Sequence, residues 1–234
     1  MLLAADTKKD QILVCLPTYH SPKEWLERAI DSVSNQTYAN FECWIVKDGC
    51  KQACSYSPNF SEKTCLECSI CEETKIFCQE KIKKDKRFKF FSMPINFGAA
   101  GWGPRNFIIS NTDQEYIAYL DDDNWYEPDH LKCLFNTMKK NNSDMAYTGT
   151  NLFDKNNNLV GNRIHPFCPK SGYIDTSEIM HKRSLIERFG GWRHVQKCND
   201  WDIISRWMPD LNWSHTNKIT LNFYMRENCG THRT

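Results

Sequence analysis

Two short apolar runs joined through a helix set the fold class of this chain. Gln11-Ile12-Leu13-Val14-Cys15-Leu16, stopped by Pro17, and Phe41-Glu42-Cys43-Trp44-Ile45-Val46, stopped by Lys47-Asp48-Gly49, each read as a buried strand. Between them Ser21-Pro22 opens a helix, with Ser21 as N-cap and Pro22 in the first turn. Trp25, Ala29, Ile30 and Val33 give that helix an apolar stripe. Strands linked by a helical crossover pair in parallel, because parallel neighbours need a connection of that length. The expectation is an α/β chain with a mostly parallel central sheet flanked by helices.

The pattern continues with one interruption. Cys50 to Cys78 is a stretch of 29 residues that holds six cysteines and little periodicity, and it reads as a Cys-rich insertion at about residues 50–80. Arg87–Phe91 resumes with a third strand, Gly98–Gly103 is a Gly-rich loop, and Pro104 starts a helix through Ile109. Tyr116–Leu120 is a fourth strand, and Pro128 starts a helix with Leu131, Leu134, Phe135 and Met138 on one face. Met145–Asn151 and Leu159–Arg163 flank an Asn156-Asn157-Asn158 turn and read as a hairpin. Short helices over about Ser184–Phe189 and Asp200–Met208 and a last strand at Ile219–Met225 complete the pattern. At 234 residues without an internal repeat, a single domain spanning residues 1–234 is expected.

Charge balance narrows the partners. Thirty basic and 29 acidic residues give a net charge of +1, which argues against nucleic acid or an anionic membrane as the main partner. No run approaches the roughly 20 apolar residues that a transmembrane helix needs. The start Met1-Leu2-Leu3-Ala4-Ala5-Asp6 turns charged too early for a signal peptide, so a cytoplasmic location is expected.

The chemistry concentrates at strand ends. In open α/β sheets ligands bind beyond the carboxyl ends of the strands, and two strands here end in carboxylates: Asp48 after the second, Asp121-Asp122-Asp123 after the fourth. Three adjacent carboxylates repel one another and make sense facing a hard cation, which takes oxygen ligands. A solvated acidic turn is the ordinary reading of a bare acidic triplet. The buried strand directly before this one shifts the balance toward a metal site.

These residues resemble family 2 glycosyltransferases of the GT-A fold. Tyr119–Leu131 is similar to their Asp-x-Asp segment, and Leu13–Tyr19 to their first strand and nucleotide loop. Ser34-Asn35-Gln36-Thr37-Tyr38, Ile45–Gly49, Asn96-Phe97-Gly98 with Gly103–Asn106, and Gly190-Gly191-Trp192 followed by Asn199–Asp202 are similar to four further family segments, in the same order. The resemblance implies a donor site for a nucleotide-diphosphate sugar, UDP-linked, and a glycan or other hydroxyl acceptor. It places Pro17, Thr18 and Tyr19 at the nucleotide, Asp48 on the base, and Arg105 on the acidic cluster or the diphosphate. It places Asp121 and Asp122 near ribose and sugar, and Asp123 on a Mn2+ or Mg2+ ion. Asp200 would be the general base of an inverting transfer, with Asp202 left undecided. His181 and Arg183 are similar to a basic segment that faces sugar or phosphate in some members, although a lone histidine is as often structural. Two positions depart from the family: Lys47 stands where an Asp is usual, and Asn199 where a Glu usually precedes the catalytic Asp.

The Cys-rich insertion has no counterpart in that pattern. Cys50, Cys54, Cys65, Cys68, Cys71 and Cys78 crowd together, and two residues separate each of Cys65, Cys68 and Cys71, the short spacing of zinc ligands. A structural Zn2+ held by four of them is the first reading; disulfides and a thiol-rich loop are its rivals. For the whole chain three alternatives stand beside the inverting transferase. They are a retaining enzyme of the same fold, a sugar-phosphate nucleotidyltransferase, and a non-catalytic carbohydrate-binding module.

Overall fold

A computed structural model describes residues 10–49, 69–195 and 198–226. The strands are β1 (Ile12–Thr18), β2 (Phe41–Lys47), β3 (Phe88–Ser92), β4 (Tyr116–Tyr119), β5 (Trp125–Tyr126), β6 (Met145–Phe153), β7 (Leu159–Arg163), β8 (Ile179–Lys182) and β9 (Trp213–Tyr224). The helices are α1 (Lys23–Ser34), α2 (Ser69–Lys84), α3 (Trp102–Ser110), α4 (His130–Asn141), α5 (Ser184–Phe189) and α6 (Asn199–Trp207). The strands form one sheet in the order β3-β2-β1-β4-β8-β6-β9-β5, with β7 paired to β6.

The sheet is mixed, which corrects the expectation of a mostly parallel one. Its first part is parallel as read: β1 pairs with β2 and β4, and β2 with β3. Beyond β4 the direction alternates. β8 runs antiparallel to both β4 and β6, β7 antiparallel to β6, and β5 antiparallel to β9, while β6 and β9 are parallel. The β6–β7 connection is a tight hairpin, and a connection that short joins only antiparallel strands.

Alternation along the central strands feeds two cores. Ile12, Val14 and Leu16 of β1 meet Leu26, Ala29, Ile30 and Val33 of α1 and Leu131, Leu134, Phe135 and Met138 of α4. Leu13 and Cys15 point the other way, toward Ile108 and Ile109 of α3, Leu185 of α5, and Ile203, Ile204 and Trp207 of α6. A strand buried on both faces reads as a continuous apolar run, which is how β1 stood out.

Local details differ from the reading. Pro22, not Ser21, occupies the N-cap of α1 and makes no side-chain cap; the Ser21 hydroxyl donates to Asp122 instead. Leu26 takes the place of Trp25 in the buried face, and Trp25 lies against Tyr224 with ring centroids 4.8 Å apart. Part of the expected insertion is helix α2, whose weak periodicity follows from exposed Ile70 and Ile76 beside buried Cys71, Phe77 and Cys78. Cys50, Cys54, Cys65 and Cys68 lie outside the described residues. β8 went unread because it is four residues long and carries a polar core residue. Among the described residues no helix is long and apolar enough to cross a membrane.

His181 and Arg183 are structural. The His181 ring is buried, with Nε2 2.7 Å from the Tyr119 hydroxyl and Nδ1 2.8 Å from the Lys182 carbonyl oxygen. Arg183 donates to the carbonyls of Gln114 and Ile109 and to the Thr112 hydroxyl, fastening the turn before β4. His130 is also buried, stacked on Tyr126 at 3.7 Å with Nδ1 2.9 Å from the Thr220 hydroxyl. Burial pushes His130 down to about 3 and His181 down to about 4. The unfolded chain takes up these protons near 6.5, and the folded chain refuses them until far lower pH. Each imidazole therefore withdraws stability as pH falls from 6.5 toward its folded value, by up to about 1.4 kcal/mol per pH unit. Ring 15N shifts should show both neutral in the folded protein at pH 5; protonation of either near pH 6 would contradict this.

Candidate active site

The carboxyl ends of β1, β2 and β4 open into a cleft of about 480 Å3, within the size range of small-molecule sites. Pro17, Thr18 and Tyr19 line it from the end of β1, Asp48 from the end of β2, and Asp121, Asp122 and Asp123 from the end of β4. The loop before α3 contributes Gly98, Gly101 and Arg105, and the far wall carries Asp175, Phe223 and Arg226. Every donor-site residue read from the sequence is thus on one cleft.

Asp48 organises the first wall. Its carboxylate accepts from the backbone N–H groups of Gly49 at 3.1 Å, Phe97 at 2.9 Å and Gly98 at 3.1 Å, and from the Asn96 amide at 3.3 Å. Burial raises its pKa, and these donors oppose that rise. The carboxylate therefore fastens the Asn96–Gly98 loop to the end of β2 while still facing the cleft. Gly49 makes the approach possible, since a Cβ there would lie 2.2 Å from the Ile95 carbonyl carbon. Lys47, the departure from the family pattern, is buried and donates to the Asp48 carbonyl oxygen at 3.0 Å.

The three adjacent carboxylates have separate attachments. Asp121 pairs with Arg105, a residue 3% exposed that also donates to the Ala100 carbonyl and faces the Trp192 ring at 4.7 Å. Asp122 accepts from the Ser21 hydroxyl and from the Tyr19 N–H at 3.3 Å, so it holds the loop after β1. Asp123 faces Arg226, whose Nε is 2.7 Å from its Oδ2, while its carbonyl oxygen accepts from Arg28 at 3.1 Å. Burial first, then the neighbouring Asp121, raises Asp123 to about 7; burial raises Asp122 as well.

This donor set fits a hard divalent cation in a particular way. Among the described residues no group of three or more His, Cys, Asp or Glu side chains converges on one point. Mg2+-type sites in transferases commonly use one or two carboxylates and complete the shell with phosphate and water. Asp123, all oxygen, poorly solvated and already beside a cationic group, meets that description. On the cysteine side the structure describes only Cys71 and Cys78. Cys71 Sγ lies 3.6 Å from His20 Nε2, and the His20 ring stacks on Tyr19. The Cys78 thiol is pushed up to about 12 by burial in the core.

Asp200 sits in the first turn of α6, with Cys198 before it in a left-handed conformation and the Trp201 N–H donating to its Oδ1 at 2.7 Å. Its pKa is raised by burial first and by Asp121, and lowered by Arg105 and Arg163, so it feels the same charges as the cleft. It lies beyond the residues that line the cavity itself. Asp202 faces elsewhere: Arg193 holds it at 2.7 Å and Arg206 at 3.3 Å. Sequence reasoning missed Ser21, Arg28, Asp175 and Arg226. Ser21 was read as a helix cap, and Arg226 lies one residue past the last expected strand.

An acidic triplet, Asp48 and the buried Arg105 line one strand-end cleft in a mixed α/β sheet, the place where open α/β sheets take their ligands. The description Glycosyl transferase family 2 matches residues 13–54 and 68–198, and the chain belongs to that family of transferases. WbnJ of Escherichia coli, an O-antigen biosynthesis glycosyltransferase, is 23% identical over 92% of this chain and 79% of its own length. An uncharacterized glycosyltransferase of Rickettsia felis is 34% identical over 61% of this chain, which spans only 19% of that relative. The fold is similar to S. aureus TarS 1-349 in its complex with UDP-GlcNAc, at TM-score 0.68 and 16% identity, covering 94% of this chain and 60% of that one.

The close approach at Gly49 gives a direct check on the first wall. Gly49→Ala forces a Cβ onto the Ile95–Asn96 backbone. Overpacking of that kind costs about 2 kcal/mol, or about 6 °C of Tm in a chain this long. Calorimetry should record that loss; an unchanged Tm would show that the wall is not held at this contact.

Proposed function

We propose that this chain transfers a sugar from a nucleotide-diphosphate donor, UDP-linked, to a hydroxyl of a glycan or related acceptor, with inversion at the anomeric carbon. The observation that carries the reading is the grouping of Asp48, the Asp121–Asp123 triplet and Arg105 on one cleft, with Asp200 in the field of Asp121 and Arg105 and Asp202 turned away. Two likenesses support the donor class. TarS structures hold UDP and UDP-GlcNAc, and WfgD of Escherichia coli, 28% identical over 66% of this chain and 51% of its own length, is named as a UDP-Glc-dependent glucosyltransferase.

In this reading the nucleotide lies over Thr18 and Tyr19 at the mouth of the β1–α1 loop, and its diphosphate points toward the triplet. A divalent cation, Mn2+ or Mg2+, held by Asp123 would neutralise charge on the leaving diphosphate. Asp200 accepts the proton of the acceptor hydroxyl. The acceptor oxygen attacks the anomeric carbon, the bond from that carbon to the diphosphate oxygen breaks, and its electron pair leaves with the nucleoside diphosphate. The raised pKa of Asp200 makes it a stronger base than a solvated aspartate, and the start of α6 favours its ionised form. A structural Zn2+ in the Cys-rich segment is a second, separate part of the proposal. Elemental analysis should find about one zinc per chain, the stoichiometry of a single four-ligand site, whereas metal-free protein would remove it.

The test is a panel of nucleotide sugars scored for turnover with Mn2+ and with excess chelator, followed by NMR of the product anomer. Turnover of a UDP-sugar that stops in chelator, with an inverted product, is expected. Asp200→Asn should lower kcat by about 10^2–10^4-fold, the usual worth of a positioned base, with the donor KM nearly unchanged. Asp202→Asn should stay within a few-fold of the parent. A retained configuration, or near-normal kcat in Asp200→Asn, would contradict the assignment.

A further inference from the structure

We infer that Arg226 occupies the Asp123 carboxylate in the absence of a divalent cation, and is released by the cation to bind the donor's diphosphate. The inference rests on the reading of Asp123 as the cation ligand. Arg226 lies two residues past the end of β9. Its Nε is 2.7 Å from Asp123 Oδ2, its Nη2 is 3.8 Å from Asp122 Oδ1, and its guanidinium is 5.2 Å from the Trp25 ring. The side chains of Asp122 and Asp123 are only 11% and 13% exposed, whereas Arg226 is 47% exposed. The arginine is therefore the solvent-side cover of a poorly solvated carboxylate pair.

The other cations near the triplet are committed elsewhere. Arg105 is buried on Asp121 and the Ala100 carbonyl, and Arg28 donates to the Asp123 carbonyl oxygen rather than to its carboxylate. Arg226 thus holds the position that a divalent ion on Asp123 would need, and a guanidinium and a divalent ion repel one another across a single carboxylate. With its guanidinium half exposed, Arg226 exchanges its partner more readily than Arg105, whose guanidinium is buried. Release would leave the guanidinium within the same cleft, since the chain just before it is pinned by the Met225 N–H to the Phe153 carbonyl at 2.8 Å. A diphosphate entering that cleft offers the paired oxygens that a planar guanidinium fork matches.

The experiment is titration calorimetry of the whole chain with Mn2+ alone, and then with UDP at saturating Mn2+, for the parent, Arg226→Ala and Arg226→Lys. Arg226→Ala should bind Mn2+ alone about tenfold more tightly, because its competitor is gone, and UDP about tenfold more weakly. Arg226→Lys keeps the charge and loses the fork, so it should bind Mn2+ like the parent and UDP more weakly. Mn2+ binding no tighter in Arg226→Ala than in the parent, or UDP binding unchanged in it, would overturn the inference while leaving the role of Asp123 intact. Failure of the parent to bind Mn2+ even with UDP would remove the cation reading and this inference with it.

Discussion

The ion pair between the buried Arg105 and the partly exposed Asp121 is the contact on which the cleft depends. Arg105 is 3% exposed, so its charge is tolerable only because Asp121, the Ala100 carbonyl and the Trp192 ring surround it. One guanidinium thereby fixes the end of β4, the Gly-rich loop before α3 and the segment after α5. Asn106, the next residue, repeats the link by exchanging hydrogen bonds with the Trp192 backbone at 2.8 and 3.0 Å. Gly101, with φ of 76°, lets the loop turn close enough for this, since a Cβ there would lie 3.3 Å from Arg105 Nη1. Removing Asp121 would leave the buried Arg105 charge uncompensated, a loss that reaches about 3–5 kcal/mol where both partners are buried.

From that anchor the triplet divides its labour. Asp121 and Asp122 are spent on the protein, one on Arg105 and one on the loop after β1. Asp123 is left with a half-exposed arginine and a pKa raised to about 7, the signature of a carboxylate that folding disfavours as an anion. A group held at such a cost is what a cationic ligand would stabilise. The same charges reach Asp200, whose pKa answers to Asp121 and Arg105 although it sits on a different helix. The cleft and the start of α6 are therefore electrostatically joined.

Much of this was legible in the chain because strand ends and special residues leave local marks. β1, β2 and β4 are buried on both faces and read as apolar runs, and the Asp residues that follow β2 and β4 are placed by chain direction alone. Asp48 and Asp121–Asp123 came from those marks, whereas Pro17, Thr18, Tyr19 and Arg105 came from the resemblance to family 2 glycosyltransferases. What stayed hidden depends on contacts far apart in sequence. The mixed second half of the sheet rests on β8, a four-residue strand whose buried His181 looks polar, and on the pairing of β6 with β9 some 70 residues later. Ser21 has the sequence of a helix cap, and its bond to Asp122, 101 residues away, has no local signal. Arg226 owes its place to the path of β9 and has no motif around it.

The division of labour within the triplet is tested most directly by comparing Asp121→Asn, Asp122→Asn and Asp123→Asn, each for thermal stability and for Mn2+-dependent UDP binding. The account predicts that the first two variants lose Tm. Asp123→Asn should keep or raise Tm, because its anion is disfavoured by burial, and should alone lose the Mn2+ dependence of UDP binding in an otherwise intact fold. Destabilisation of Asp123→Asn as large as that of its neighbours, or retained Mn2+-dependent UDP binding in it, would contradict the account.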